Sequence, residues 1–240
     1  MSTWIRVLLV GLVFVLSPAC QPRAQVDPET EDEKTIYAIG LTLAKNLAGF
    51  ALNEEELDIL IEGLRDGALN RPAKVEADQY RQQMQALQRS RIKVLAENEK
   101  QAGAAFLEQE AAMEGAVRAE SGLVYREVEA GTGESPERDD TVRIHYHGTL
   151  RDGTVFDSSV ERGTLFVTKL TSVIPCWTEG VQRMRVGGKS RLVCPSDIAY
   201  RDRGAPPNIK PGATIAFDVE LVEIVKPSKP PGKPKPPAAP

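Results

Sequence analysis

The sequence predicts an α+β protein in two parts, a helical N-terminal half followed by an antiparallel sheet wrapped on one short helix. Three observations carry that expectation. Apolar residues recur at steps of three and four from Ile36 to Ala68, a proline-free segment follows from Lys74 to Ala119, and from Ser121 the period switches to two with β-branched residues enriched. At 240 residues the chain has room for one large domain or two small ones.

The opening stretch, "MSTWIRVLLVGLVFVLSPAC", holds one basic residue, Arg6, then an apolar run from Val7 to Leu16 and small residues up to Cys20. That run is too short to span a bilayer and reads as the apolar core of a secretory signal peptide. Ser17-Pro18-Ala19-Cys20 resembles a bacterial lipobox, whose cysteine becomes acylated. Leu16 lies one position further upstream than the usual pattern has it, and a plain cut after Ala19 or Ala24 is the alternative. Either way the mature protein is expected to be exported, in the periplasm or at the outer membrane of a bacterium. The expected signal peptide covers residues 1–20, and a polar, acidic linker covers 21–33.

Helices are expected over residues 34–120. Ile36, Ile39, Leu43, Leu47 and Phe50 make one apolar helical face. Asn53 with Glu56 looks like a capping signal for a second helix, carrying Leu57, Leu60, Ile61, Leu64 and Ala68 and ended by Pro72. The third segment, Lys74 to Ala119, is dominated by Glu, Gln, Lys, Arg and Ala and would extend roughly 60 Å as a helix. Its apolar stripe of Tyr80, Met84, Leu87, Val94 and Phe106 is thin, so it should bridge solvent or touch a partner only at its ends. Two short helices and the start of a third make a meagre core, which predicts that residues 34–90 pack against a second copy. A compact bundle folded back on the C-terminal half is the alternative.

The C-terminal half, 121–225, reads as strands. "GLVYREVEAG", "TVRIHYHGTL" and "ATIAFDVELVEIV" alternate apolar and polar residues, and Asp152-Gly153 supplies a turn between two strands. One short helix, Trp177 to Met184, interrupts them and stops at Gly187-Gly188. Residues 226–240, "KPSKPPGKPKPPAAP", read as a solvated, disordered tail that need not pack.

A net charge of −4 and a pI near 5.4 leave no basic face for nucleic acid. Walker, dinucleotide and HExxH patterns are missing from the sequence. His145 and His147 share one strand face with no further ligands apparent nearby, so neither metal nor cofactor is expected. Export makes Cys176 and Cys194 a pair in an oxidising compartment, Cys20 being used by the lipid or left in a flexible tail. A bridge between them closes a loop of under about 20 residues, for roughly 3 kcal/mol; two buried free thiols are the other reading.

Read together, "HYHGTLRDGTVFDSSVERG", "VIPCWTEGVQRMRVGGKSRLVCPSDIAY" and "PGATIAFDVELVEI" resemble the FKBP-type peptidyl-prolyl cis-trans isomerases in motif order and spacing over about residues 121–225. Residues 34–120, with "SGLVYREVEAGTG" at the junction, are similar to the N-terminal dimerisation region and long connecting helix of the two-domain bacterial branch, which includes the macrophage infectivity potentiators and periplasmic FKBP chaperones. The resemblance implies an antiparallel β half-barrel around a short helix, a homodimer, proline-containing unfolded or partly folded polypeptides as substrates, and macrolides as inhibitors.

It also implies a site. Trp177 forms the floor of the pocket and Val173 and Ile174 one wall, with Tyr146, Phe156, Asp157, Arg162, Phe166, Tyr200, Ile209 and Phe217 completing it. The proline ring would sit on Trp177. The Tyr200 hydroxyl and the Ile174 N–H would hold substrate carbonyls, and Asp157, oriented by Arg162 and Tyr146, would supply polarity near the rotating carbonyl. The chain departs from the family at Cys176, Cys194, Leu165, Thr168 and Arg201, the last standing where glycine is usual. The two cysteine departures are complementary. They imply a disulfide pinning the start of the Trp177 helix to the end of a strand.

Overall fold

The computed structural model describes residues 27–225. The leader with Cys20 and the Lys/Pro-rich stretch from residue 226 lie outside those residues, and so do the expectations that rest on them. The chain divides into two compact units, one ending at Thr42 and the other beginning at Leu43. Among the described residues, no helix is long and apolar enough to cross a membrane.

Helix α1 (Glu31–Leu47) begins three residues before the expected start. Thr30 and Glu33 explain this: the Glu33 N–H donates to Thr30 Oγ1, and the Glu33 carboxylate accepts from the N–H groups of Glu29 and Thr30. Such a box satisfies donors that an open helix end leaves unpaired, whatever the apolar pattern says. No side chain of α1 is buried, and Ile36 is 67 % exposed.

Helix α2 (Glu54–Ala68) carries the expected capping box, in which Asn53 Oδ1 accepts from the Glu56 N–H and the Glu56 carboxylate accepts from the Asn53 N–H. It ends before Pro72 is reached. Asn70 turns left-handed at φ +52°, and the Arg71 N–H closes back on the Asp66 carbonyl.

Helix α3 (Arg81–Ala111) is shorter than the expected 74–119 span, because a 3₁₀ turn at Ala77–Tyr80 precedes it and Gly115, at φ +76°, lets the chain turn into a strand. Its 31 residues give a length of about 46 Å. The expectation that it bridges solvent or touches a partner only at its ends is overturned from the middle of the helix onward. Ala96, Gly103 and Leu107 are buried on one face against the C-terminal sheet and the loops that precede its last strand. The expected stripe of Tyr80, Met84, Leu87 and Val94 is exposed.

The strands are β1 (Ala116–Arg118), β2 (Val124–Glu129), β3 (Thr141–Leu150), β4 (Val155–Ser158), β5 (Phe166–Lys169), β6 (Lys189–Cys194) and β7 (Ile215–Val225). Every pairing is antiparallel, in the order β1-β2-β6-β7-β3-β4, with β5 also pairing β3. Irregularities at Glu127/Glu129, Arg143/Ile144 and Gly148/Thr149 break the register, and bulges of this kind increase strand bending and twist.

Period-two alternation sends Tyr125, Ile144, Tyr146, Leu192, Phe217 and Val219 into the core with Trp177, Val181 and Met184 of helix α4 (Pro175–Gln182). It sends Val124, Val193 and Ala216 to the opposite face, where Leu107 of α3 covers them. The sheet is thus covered on both sides at its centre.

Candidate active site

Helix α4 aims the site. Pro175 starts it at a position where the missing N–H has no cost, and Thr178 Oγ1 donates to the Leu170 carbonyl at 2.6 Å. A disulfide between Cys176 and Cys194 ties its first turn to the end of β6, which decides between the bridge and the free thiols. Trp177 is thereby held with its indole 3 % exposed at the base of a cavity of about 360 Å³.

The aromatic rings meet edge to face around that indole. Ring centroids of Tyr146 and Phe217 lie 5.1 and 5.0 Å from Trp177, Phe166 lies 6.1 Å away, and Phe156 lies 5.5 Å from Phe217. Each such pair contributes roughly 0.5–1.5 kcal/mol beyond its buried area, so the walls stand without a ligand. Gly148 makes the packing feasible, since a Cβ there would lie 2.7 Å from the Phe156 ring and 3.0 Å from that of Phe217.

A polar group closes one edge. The Tyr146 hydroxyl and the Arg162 guanidinium both donate to the Asp157 carboxylate, and Arg162 also donates to the Tyr146 hydroxyl at 2.9 Å. Burial pushes the Asp157 carboxyl upward, but the Tyr146 and Arg162 hydrogen bonds outweigh it and hold the group below the ordinary aspartate value. Burial, with Asp157 second, raises the Tyr146 phenol, which therefore stays a donor at neutral pH. The Tyr200 phenol is raised by burial first and by the Asp157 charge second. Among the described residues, the Tyr200 hydroxyl and the Ile174 N–H have no hydrogen-bond partner, and neither does the buried Trp177 Nε1.

The structure brings Tyr146, Phe156, Asp157, Phe166, Val173, Ile174, Trp177, Tyr200 and Phe217 to this cavity, and Arg162 reaches it through Tyr146 and Asp157. Ile209 is not on the cavity wall. It is 4 % exposed within the core, where paired backbone bonds with Ala205, both 2.9 Å, fix it. Ser172 lines the cavity and Ser159 supports it, its hydroxyl accepting from the Tyr146 N–H at 2.8 Å. Sequence reasoning missed both, for lone serines carry no periodic signal. His145 and His147 face Ser159 and Ser158 instead, away from the cavity.

Residues 132–222 match the family model described as FKBP-type peptidyl-prolyl cis-trans isomerase, and residues 32–126 match the one described as the domain amino terminal to it. A protein of Aeromonas hydrophila named FKBP-type peptidyl-prolyl cis-trans isomerase FkpA is 39 % identical over 225 residues, 88 % of this chain and 82 % of that one. The chain belongs to the FKBP-type peptidyl-prolyl cis-trans isomerases.

As an FKBP-type isomerase it has a further relative in the outer membrane protein MIP of Legionella longbeachae, 33 % identical over 82 % of this chain and 87 % of that one. The crystal structure of FkpA from Escherichia coli superposes with a TM-score of 0.58 at 34 % identity, covering 82 % of this chain and 97 % of that one. The FKBP architecture therefore extends over helices and sheet alike, and the reaction is rotation about X-Pro peptide bonds.

Proposed function

We propose that this isomerase acts in the bacterial cell envelope on exported, partly folded polypeptides, and that the Trp177 cavity is where the X-Pro bond turns. The observation that carries the site is the combination of an apolar, aromatic-walled cavity with two unused donors, the Tyr200 hydroxyl and the Ile174 N–H, at its edge. Rotation faces a barrier of about 18–20 kcal/mol because amide resonance must be broken, and no new bond to another atom has to form. An apolar pocket strips water from the amide and favours the twisted state, whose carbonyl is less polar than the planar one.

The proline ring sits on the Trp177 indole among Tyr146, Phe156, Val173, Ile174 and Phe217. Tyr200 and Ile174 donate to substrate carbonyls, while the ionised Asp157, held by Arg162 and Tyr146, faces the rotating carbonyl. No acid, base, nucleophile, metal or cofactor takes part. A macrolide that fills the cavity competes with the peptide. The exposed apolar residues of α1 support homodimerisation through the N-terminal helices, and the apolar run Val7–Leu16 supports export, with acylation at Cys20 as the anchor.

The test is isomerisation of a short X-Pro peptide by the full chain beside Trp177→Ala, Tyr200→Phe and Asp157→Leu. Each should lower kcat/KM, Trp177→Ala most, with the folded state checked by circular dichroism. Unchanged rates in all three would remove the site assignment while leaving the family membership in place. Mass spectrometry of the membrane fraction, with and without Cys20→Ser, tests the anchor.

A further inference from the structure

The segment between β6 and β7 carries Tyr200 to the cavity and is held from outside the sheet by α3. Lys100 Nζ lies 2.6 Å from Asp202 Oδ1 and 3.5 Å from Asp197 Oδ1, one carboxylate on each side of Tyr200. One turn earlier on α3, the Ala96 backbone approaches Gly212 so closely that a Cβ there would lie 2.2 Å from the Ala96 carbonyl oxygen. Gly212 in turn donates its N–H to the Arg201 carbonyl at 3.0 Å. One turn later, Gly103 meets Thr214, where a Cβ would lie 2.3 Å from Oγ1. Ala96, Lys100 and Gly103 are spaced to share one helix face.

What they hold is a strained turn. Arg201, directly after Tyr200, sits at φ +52°, a left-handed conformation that side chains other than glycine and asparagine seldom adopt. Within the segment, the Gly204 N–H bonds the Tyr200 carbonyl at 3.1 Å, and Ala205 pairs with Ile209. These local bonds fix the turn's shape, and Ala199 and Ile209 seat its inner side in the core. The ties to α3 hold its outer side, next to Arg201 and Asp202.

We infer that Lys100 of α3 is a positioning residue of the isomerase, holding the Asp197–Asp202 segment so that the Tyr200 hydroxyl faces the substrate carbonyl. The inference rests on the proposed role of Tyr200. It makes α3 part of the catalytic unit, so that an isomerase domain cut at residue 121 lacks a working element. The raised pKa of Lys100, from the Asp202 hydrogen bond chiefly, keeps it charged throughout the physiological range.

The experiment is a double-mutant cycle on the full chain with Lys100→Met, Lys100→Arg, Tyr200→Phe and the Lys100→Met/Tyr200→Phe double variant. It reads kcat/KM for a short X-Pro peptide, the thermal midpoint, and amide exchange at Gly204. Lys100→Met is expected to lower kcat/KM two- to fivefold, about 0.4–1 kcal/mol, and Lys100→Arg to restore most of it. In the Tyr200→Phe background the same substitution should have no further effect on rate, while shifting the thermal midpoint as it does in the parent. Faster Gly204 exchange in Lys100→Met alone should accompany the loss.

A Lys100→Met loss that is the same in both backgrounds, or no loss at all, would overturn the inference while a lowered Tyr200→Phe rate keeps the site reading. Exchange at Gly204 unchanged by Lys100→Met would overturn it too. A Tyr200→Phe rate equal to the parent's would overturn the role of Tyr200 and the inference with it.

Discussion

Helix α1 carries Ile36, Tyr37, Ile39, Leu41 and Leu43, all large and apolar, and the described structure leaves every one of them exposed. The later part of α3 carries Ala96, Lys100, Gly103 and Leu107 on one face and buries three of these four. Hydropathy ranks the first face far above the second. Burial within one chain instead followed the closeness of fit: small residues let the α3 backbone approach Gly212 and Thr214 within ordinary contact, where larger ones would collide. A face such as that of α1 gains by burial only when another surface arrives, and this is why it supports a dimer.

The largest expected effect tests the α3 docking directly. Leu107→Ala should destabilise the protein by about 2–5 kcal/mol in denaturant unfolding, whereas Ile36→Ala should stay within about 0.5 kcal/mol at protein concentrations too low for dimers. Equal costs would erase the contrast between the two helices. Removing the other tie on the Tyr200 side of the domain, by Cys176→Ser with Cys194→Ser, should cost roughly 3 kcal/mol, since the closed loop has a sequence separation of 18. That figure gives a covalent standard for what the docked helix contributes.

Gly103→Val should cost about 1–3 kcal/mol, because its side chain meets Thr214, which is itself buried. A neutral Gly103→Val would show that α3 can slide on the sheet. On the other helix, Ile36→Lys with Ile39→Lys should leave short-peptide isomerisation unchanged and halve the mass seen in sedimentation. A parent chain that is already monomeric at micromolar concentration would break that half of the comparison.

The smallest effect concerns the cavity edge, where charges replace fit. The folded pKa of Asp157 is depressed, so its contribution is complete above the ordinary aspartate value of about 3.9 and is lost as pH falls through the lower folded value. Isomerisation should therefore show no Asp157-dependent loss between pH 7 and pH 5, and Arg162→Leu should move that loss upward. A titration centred near pH 6 in the parent, abolished by Asp157→Asn, would contradict this.

Much of the fold was legible because its signals are local. The alternation in "TVRIHYHGTL" put both histidines on one face and Tyr146 on the other, Asp152-Gly153 marked the β3–β4 turn, and Asn53 with Glu56 marked the start of α2. The cavity was legible only through the joint spacing of its motifs, since Phe156 or Phe217 taken alone reads as core. Ile209 shows the limit of such carry-over: its motif position matched, but paired bonds to Ala205 fixed it within the core. Ser159 and Gly148 were invisible, for Ser159 matters through the Tyr146 N–H and Gly148 through the Phe156 and Phe217 rings, neighbours that only the folded chain brings close.

Residue type and distance along the chain were enough for the family, the α+β order and the aromatic set around Trp177, and they made Cys176 and Cys194 candidates for a bridge that the structure then closes. Only the tertiary structure decided that α3 lies on the sheet, that Arg201 adopts a left-handed turn beside Tyr200, and that Lys100 bridges the carboxylates flanking that tyrosine. The α3 docking and the Lys100 bridge arise where segments about 100 residues apart meet, and contact at that range depends on shape and register that no local pattern encodes; the Arg201 turn is closed by the Gly212 N–H from the far end of its loop.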